Sequence, residues 1–177
     1  QRALTVGNLV MATGNTITNS TGSSSLTVGG TSSLGGSITT SGNQTYAGAT
    51  TIAANTSLTS TANGTITFSS TVNSASAATY SLTTSTGTGS TVFASTVGAS
   101  YALASLNTSG DTSIGGSVTT AGVQGYGGTV TVGAISSLIT NNANINFNSN
   151  VVLNASLTLN AGSADVNILG NVSLGNG

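Results

Sequence analysis

The sequence predicts an all-β chain wound as a right-handed single-stranded parallel β-helix, a solenoid of about nine coils of ~20 residues running through 1–177 as one unit. Three observations carry this reading. Apolar residues arrive in short alternating bursts, those bursts recur at a spacing near 20, and charge is almost absent.

The bursts come first. Leu4-Thr5-Val6, Thr16-Ile17-Thr18, Leu26-Thr27-Val28, Thr65-Ile66-Thr67-Phe68, Thr129-Val130-Thr131-Val132 and Ser156-Leu157-Thr158-Leu159 each alternate an apolar residue with a small polar one. That period of two is the mark of a strand with one buried face. Gly, Asn and Ser lie between bursts and admit turns and left-handed backbone. No 3.6-residue stripe runs far enough for a helix, and the Ala-rich Ser74–Tyr80 is too short and too interrupted by Ser and Thr. No apolar run approaches the ~20 residues of a membrane-spanning helix, so no membrane insertion is expected. No charged n-region precedes an apolar core. A β-sandwich would use longer strands and more core aromatics than the seven in this chain, and hairpins would need more Asn-Gly pairs than Asn63-Gly64 and the terminal Asn176-Gly177.

Two repeats are superposed. GGSITTSG at 35–42 returns as GGSVTTAG at 115–122, eighty positions later. The match extends through Gln44 with Gln124, Tyr46 with Tyr126, Gly48 with Gly128, Ile52 with Val132 and Leu58 with Leu138. After a slip of one position it resumes with Ile66-Thr67-Phe68 against Ile145-Asn146-Phe147, so the long repeat spans 30–68 and 110–147. Inside it runs the shorter spacing. Ile38 to Leu58, Tyr46 to Ile66, and Ile52 to Val72 to Val92 are steps of 20. Val118, Leu138 and Leu157 continue it, as do Val132, Val151 and Val172. On this count the long repeat is four coils, and these apolar residues form the core ladders.

Composition agrees with a stack. Thr, Ser, Gly and Asn make 106 of the 177 residues, against one basic residue, Arg2, and two acidic ones, Asp111 and Asp165. Disordered chains of low hydrophobicity tend to gain net charge, and this one has a formal charge of −1. Charged side chains would lie on their own copies at ~4.8 Å, which Thr, Ser and Asn avoid. The same inventory excludes chemistry. Without His, Cys or Lys there is no nucleophilic relay and no Schiff base, so no enzyme is expected. Two carboxylates as distant in sequence as Asp111 and Asp165 complete no metal site and no glycosidase cleft, and no cofactor is expected. One Arg supplies no nucleic-acid face.

A few residues invite a role. Tyr46 and Tyr126 occupy equivalent repeat positions and offer an apolar body with a polar tip; they serve either as a glycan- or partner-contacting platform or as fillers at a coil corner. Phe68, Phe93 and Phe147 are expected inside as oversized rungs. Asn141, Asn142, Asn144, Asn146, Asn148 and Asn150 crowd one coil, where amides either ladder or simply form a polar turn. Asn-x-Ser/Thr sequons at Asn19, Asn43, Asn55, Asn63, Asn107, Asn154 and Asn171 are no more than this composition yields by chance. Thr-x-Thr segments at Thr16, Thr65 and Thr129 suggest a surface-binding array, but their sequence spacing is irregular.

The block GSITTSGNQTYAGATTIAANTSLT at 36–59, followed by TITFSSTV at 65–72, resembles the repeat region of filamentous-haemagglutinin-like exoproteins and related autotransporter passengers. The echo at 116–148 resembles the same pattern. The resemblance implies a right-handed parallel β-helix on or shed from a Gram-negative surface, serving adhesion or fibre formation. Its partners would then be further copies or coils of itself and a host or neighbouring cell surface. The secretion domain of such proteins carries an Asn-Pro motif, which a chain without Pro lacks, so the likeness is to shaft. Leu4-Thr5-Val6 and 171–177 keep strand character with no cap or gatekeeper charge, so participation in a long fibre is expected, as one continuous polypeptide or as stacked copies.

Overall fold

A computed structural model of the chain describes residues 2–76 and 78–175; Gln1, Ala77 and the Asn176-Gly177 pair lie outside the described residues. Among the described residues there is no helix, and twenty-four short strands succeed one another. Each pairs in parallel with a strand one coil away. The result is a right-handed parallel β-solenoid of about eight to nine coils with three faces. The first face holds nine strands: Arg2–Val6, Ser24–Val28, Gln44–Tyr46, Ile66–Phe68, Ser90–Phe93, Asp111–Ile114, Val130–Val132, Val151–Leu153 and Val172–Leu174. The third face holds eight, from Thr16–Asn19 to Val166–Ile168. The second face is split into a four-stranded and a three-stranded sheet, joined through Val97, which bridges Val72 on one side and Val118 on the other.

A strand this short suffices because it needs only to place two side chains inward and one outward. Ile66-Thr67-Phe68 and Val130-Thr131-Val132 do so, with their apolar members buried and Thr half-exposed. One coil buries little by itself; stacking merges the inward residues into one continuous core from Met11 to Ala161.

Coil length is not constant. On the first face the coil from Leu26 to its partner Gln44 is short, whereas the coil from Ile66 to its partner Thr91 is long. The expected ladders therefore hold only in part. Ile38 with Leu58, Val118 with Leu138, and Val151 with Val172 are true rung partners. Elsewhere the constant step of 20 misses the rung: Tyr46 pairs with Phe68, Ile52 with Ser74, Val132 with Leu153, and Leu138 with Leu159, leaving the half-buried Leu157 on Ser136. Val92 is a correction of kind. Even-numbered Ile66 pairs with odd-numbered Thr91, so the parity of the inward positions flips; Thr91 and Phe93 point in and Val92 points out. Val172 also leaves the core: it lies on the inward side of the last strand, 54% exposed, because no described coil covers it.

The long repeat is likewise not four coils. Gln44–Tyr46 lies on the first face, whereas its copy Gln124–Tyr126 lies on the third. Every strand of the block is displaced by one face in the same sense. Ser37–Thr40 of the third face matches Val118–Thr119 of the second, and Thr50–Ile52 of the second matches Val130–Val132 of the first. The copies are related by a third of a turn less than four coils.

Val72 is fully buried between Thr50 and Val97, whereas Thr27 stands on the outward side of the first face. Val72→Asp is expected to destabilise by at least about 4 kcal/mol, since it buries a charge with no counter-ion. Thr27→Ser should stay within about 0.5 kcal/mol. Urea titrations of both variants measure this; equal losses would refute the inward assignment of Val72.

Candidate functional site

Of the roles open to Tyr46 and Tyr126, the structure takes neither the surface platform nor the coil corner: both lie on strands and are fully buried. Each is the lid of a buried polar cluster. Tyr46 Oη donates to Gln44 Oε1 at 2.8 Å, and Gln44 Nε2 donates to Thr59 O at 2.9 Å, Thr40 Oγ1 at 3.2 Å and Ile38 O at 3.4 Å. Thr40 Oγ1 in turn donates to Gly42 O at 2.7 Å. The second copy repeats every bond: Tyr126 Oη to Gln124 Oε1 at 3.0 Å, Gln124 Nε2 to Ile139 O, Thr120 Oγ1 and Val118 O, and Thr120 Oγ1 to Gly122 O. Gln and Tyr lie two apart on a strand, so both point inward and meet side by side. Burial pushes both phenols' pKa up, because the phenolate would lose its water. They stay neutral donors.

The rings also start two stacks. Tyr46 lies on Phe68 with centroids 5.1 Å apart and planes 15° from parallel, and Phe68 lies on Phe93 at 5.3 Å and 4°. Tyr126 lies on Phe147 at 5.3 Å and 15°. The three phenylalanines are core rungs, and the tyrosines belong with them.

The abundant Asn has a structural use. Asn43 Oδ1 accepts the backbone N–H of Thr65 at 2.9 Å, Asn150 Oδ1 that of Asn171 at 2.9 Å, and Asn63 Oδ1 that of Thr88 at 2.9 Å. In each pair the two residues occupy neighbouring coils, so the amide staples one coil to the next at a corner. Asn142 staples to Ser163, and both Asn63 and Asn142 take left-handed φ, 60° and 55°. Asp111 stands in the same column as Asn43 and does an Asn's work, accepting from Thr129 N at 2.8 Å. Asp165 receives such a staple, its N–H donating to Asn144 Oδ1 at 3.2 Å. The two carboxylates sit on different faces, and no group of three or more His, Cys, Asp or Glu occurs among the described residues.

Outward hydroxyls are more regular than the sequence suggests. On the third face Thr16, Ser37, Ser57 and Thr83 form one column and Thr18, Thr39, Thr59 and Ser85 another, although the last step is longer in sequence than the two before it. Corner loops absorb the difference. The first column continues through Asn107, Gly125 and Asn146, so the hydroxyl grid covers only the first four coils. Where the uneven corner is longest, Tyr80 stays partly accessible and Tyr101 exposed; the echo of ATYSL at 78–82 in ASYAL at 99–103 is the sequence signal that marks them.

Two outcomes test the clusters. Gln124→Leu strands the Tyr126 hydroxyl and should cost about 1–3 kcal/mol, part of which Tyr126→Phe in the same chain restores; a double variant less stable than Gln124→Leu overturns the assignment. A raised folded pKa means that each phenol contributes stability below its unfolded value near 10, which is lost as pH rises through and beyond it. Unfolding free energy should therefore fall above about pH 10, and the Tyr46→Phe/Tyr126→Phe variant should flatten that fall.

Comparison with known proteins finds no family model, no curated protein and no solved structure that matches this chain.

Proposed function

We propose that the chain is a stretch of structural shaft, part of an extracellular fibre or large surface exoprotein of a Gram-negative bacterium, that builds length and adhesive reach without catalysis. The observation that carries this reading is the displaced repeat. The second block keeps the buried Gln–Tyr cluster, the ring stack and the corner Asn staple of the first, yet presents them on another face. A duplicated binding surface would keep its direction; a duplicated packing unit need not. Coils with almost no charge that stack through backbone bonds and side-chain amides are what an extended spacer requires.

The resemblance of 36–59 to filamentous-haemagglutinin-like repeats supports the surface location. So does the partial hydroxyl grid, which leaves a neutral, well-hydrated exterior. Small-angle scattering of the chain should give a rod lengthening by ~4.8 Å per coil. Antibody against the chain should label filaments outside the producing cell. A globular particle, or label confined to the cytoplasm, overturns the proposal.

A further inference from the structure

The rod is interrupted at the corner between its second and third faces. There the longest coil carries a loop that includes Ala78, at φ 57°, and Tyr80. Backbone bonds to the next coil fix it: Ala78 N donates to Ala102 O at 2.8 Å, and Ala104 N donates to Tyr80 O at 2.9 Å. Below the loop lies a groove of about 460 Å3, lined by Thr13, Gly36, Ser37, Asn55 and Tyr80 among others. That volume falls in the range of about 300–1,000 Å3 typical of small-ligand clefts. Its floor is bare for a reason. A Cβ at Gly36 would stand 2.1 Å from Asn15 O, and one at Gly35 2.5 Å from Met11 O, so the close approach of the preceding coil's backbone requires glycine at both positions of the floor.

We propose that this groove binds an uncharged saccharide, with Tyr80 as the ring-contacting surface and Asn55 as the polar contact. The two are pre-positioned together. Asn55 Oδ1 accepts the N–H of Ser81, the residue after Tyr80, at 3.0 Å, which leaves Nδ2 without a partner among the described residues and free to donate to a ring hydroxyl. Tyr80 is half-buried against the core, a rigid aromatic wall with little entropy to lose on binding. Ser37 and Thr13 add hydroxyls that both donate and accept. None of the chain's three charged side chains lines the groove, so nothing there selects an ion, and a neutral polyol with an apolar ring face fits aromatic, amide and hydroxyl together. The inference is independent of the shaft proposal, since a spacer functions with or without a saccharide site.

An array of uncharged gluco-, galacto- and manno-configured oligosaccharides alongside sulfated and sialylated ones, followed by calorimetry on the full chain, tests it. At least one uncharged member should bind, with Kd raised tenfold or more by Tyr80→Ala. Thr13→Trp fills the groove from its exposed rim and should abolish binding while leaving the melting temperature unchanged, which separates lost binding from lost folding. Tyr101→Ala, which removes the 51%-exposed tyrosine outside the groove, should leave Kd within twofold. No binding of any uncharged glycan at millimolar concentration overturns the proposal. So does binding restricted to sulfated or sialylated glycans, or binding that survives Thr13→Trp.

Discussion

Outside the split in the second face, most side chains on the interior strands of this protein have a counterpart one coil above and one below, at the ~4.8 Å spacing of parallel strands. Everything else answers to that constraint. A like-charged column would cost about 1 kcal/mol per neighbouring pair even with the dielectric of water, repeated at each step of the rod. Amides, hydroxyls and flat rings escape the penalty. An Asn carbonyl oxygen finds a backbone N–H on the next coil, and a phenyl ring finds another at stacking distance. The composition is thus what remains when every side chain must tolerate a near-copy of itself.

The same constraint explains what the sequence revealed. Period-two bursts and a recurrence near 20 sufficed for strand type, parallel pairing and coil number, because these depend on averages. Register depends on individual corners. The residues between Phe68 and Ser90 cannot be parsed into turn and strand by periodicity, and one odd-length coil was enough to send Val92 outward and place Phe93 in the core. Hydroxyl columns that look irregular along the chain are regular in space for the opposite reason: the loops take up the surplus.

The tyrosines were harder to read. Tyr46 and Tyr126 carried the stronger sequence signal because they repeat, yet repetition in a solenoid marks shared packing, and the hydroxyl that suggested exposure is satisfied by a glutamine two positions away. The partnership was written in the Gln-x-Tyr spacing, where an inward-facing polar residue next to an inward-facing phenol has little alternative. Tyr80 and Tyr101 repeat only each other, 21 apart in ATYSL at 78–82 and ASYAL at 99–103. They belong to the corner where the coil outgrows its neighbours, and there the echo misleads on register, since Leu82 pairs with Leu106 and not with Leu103.

The displacement of the repeated block by one face has a genetic consequence. Each strand of the repeated block is accommodated on two of the three faces, so a duplication that adds or removes a third of a coil is compatible with a continuous core. Each such event would also rotate all that follows by a third of a turn about the axis. Variants differing by one strand would then differ little in length but would point their distal features in different directions, giving a lineage a way to re-aim a projection while its interior stays under the same selection.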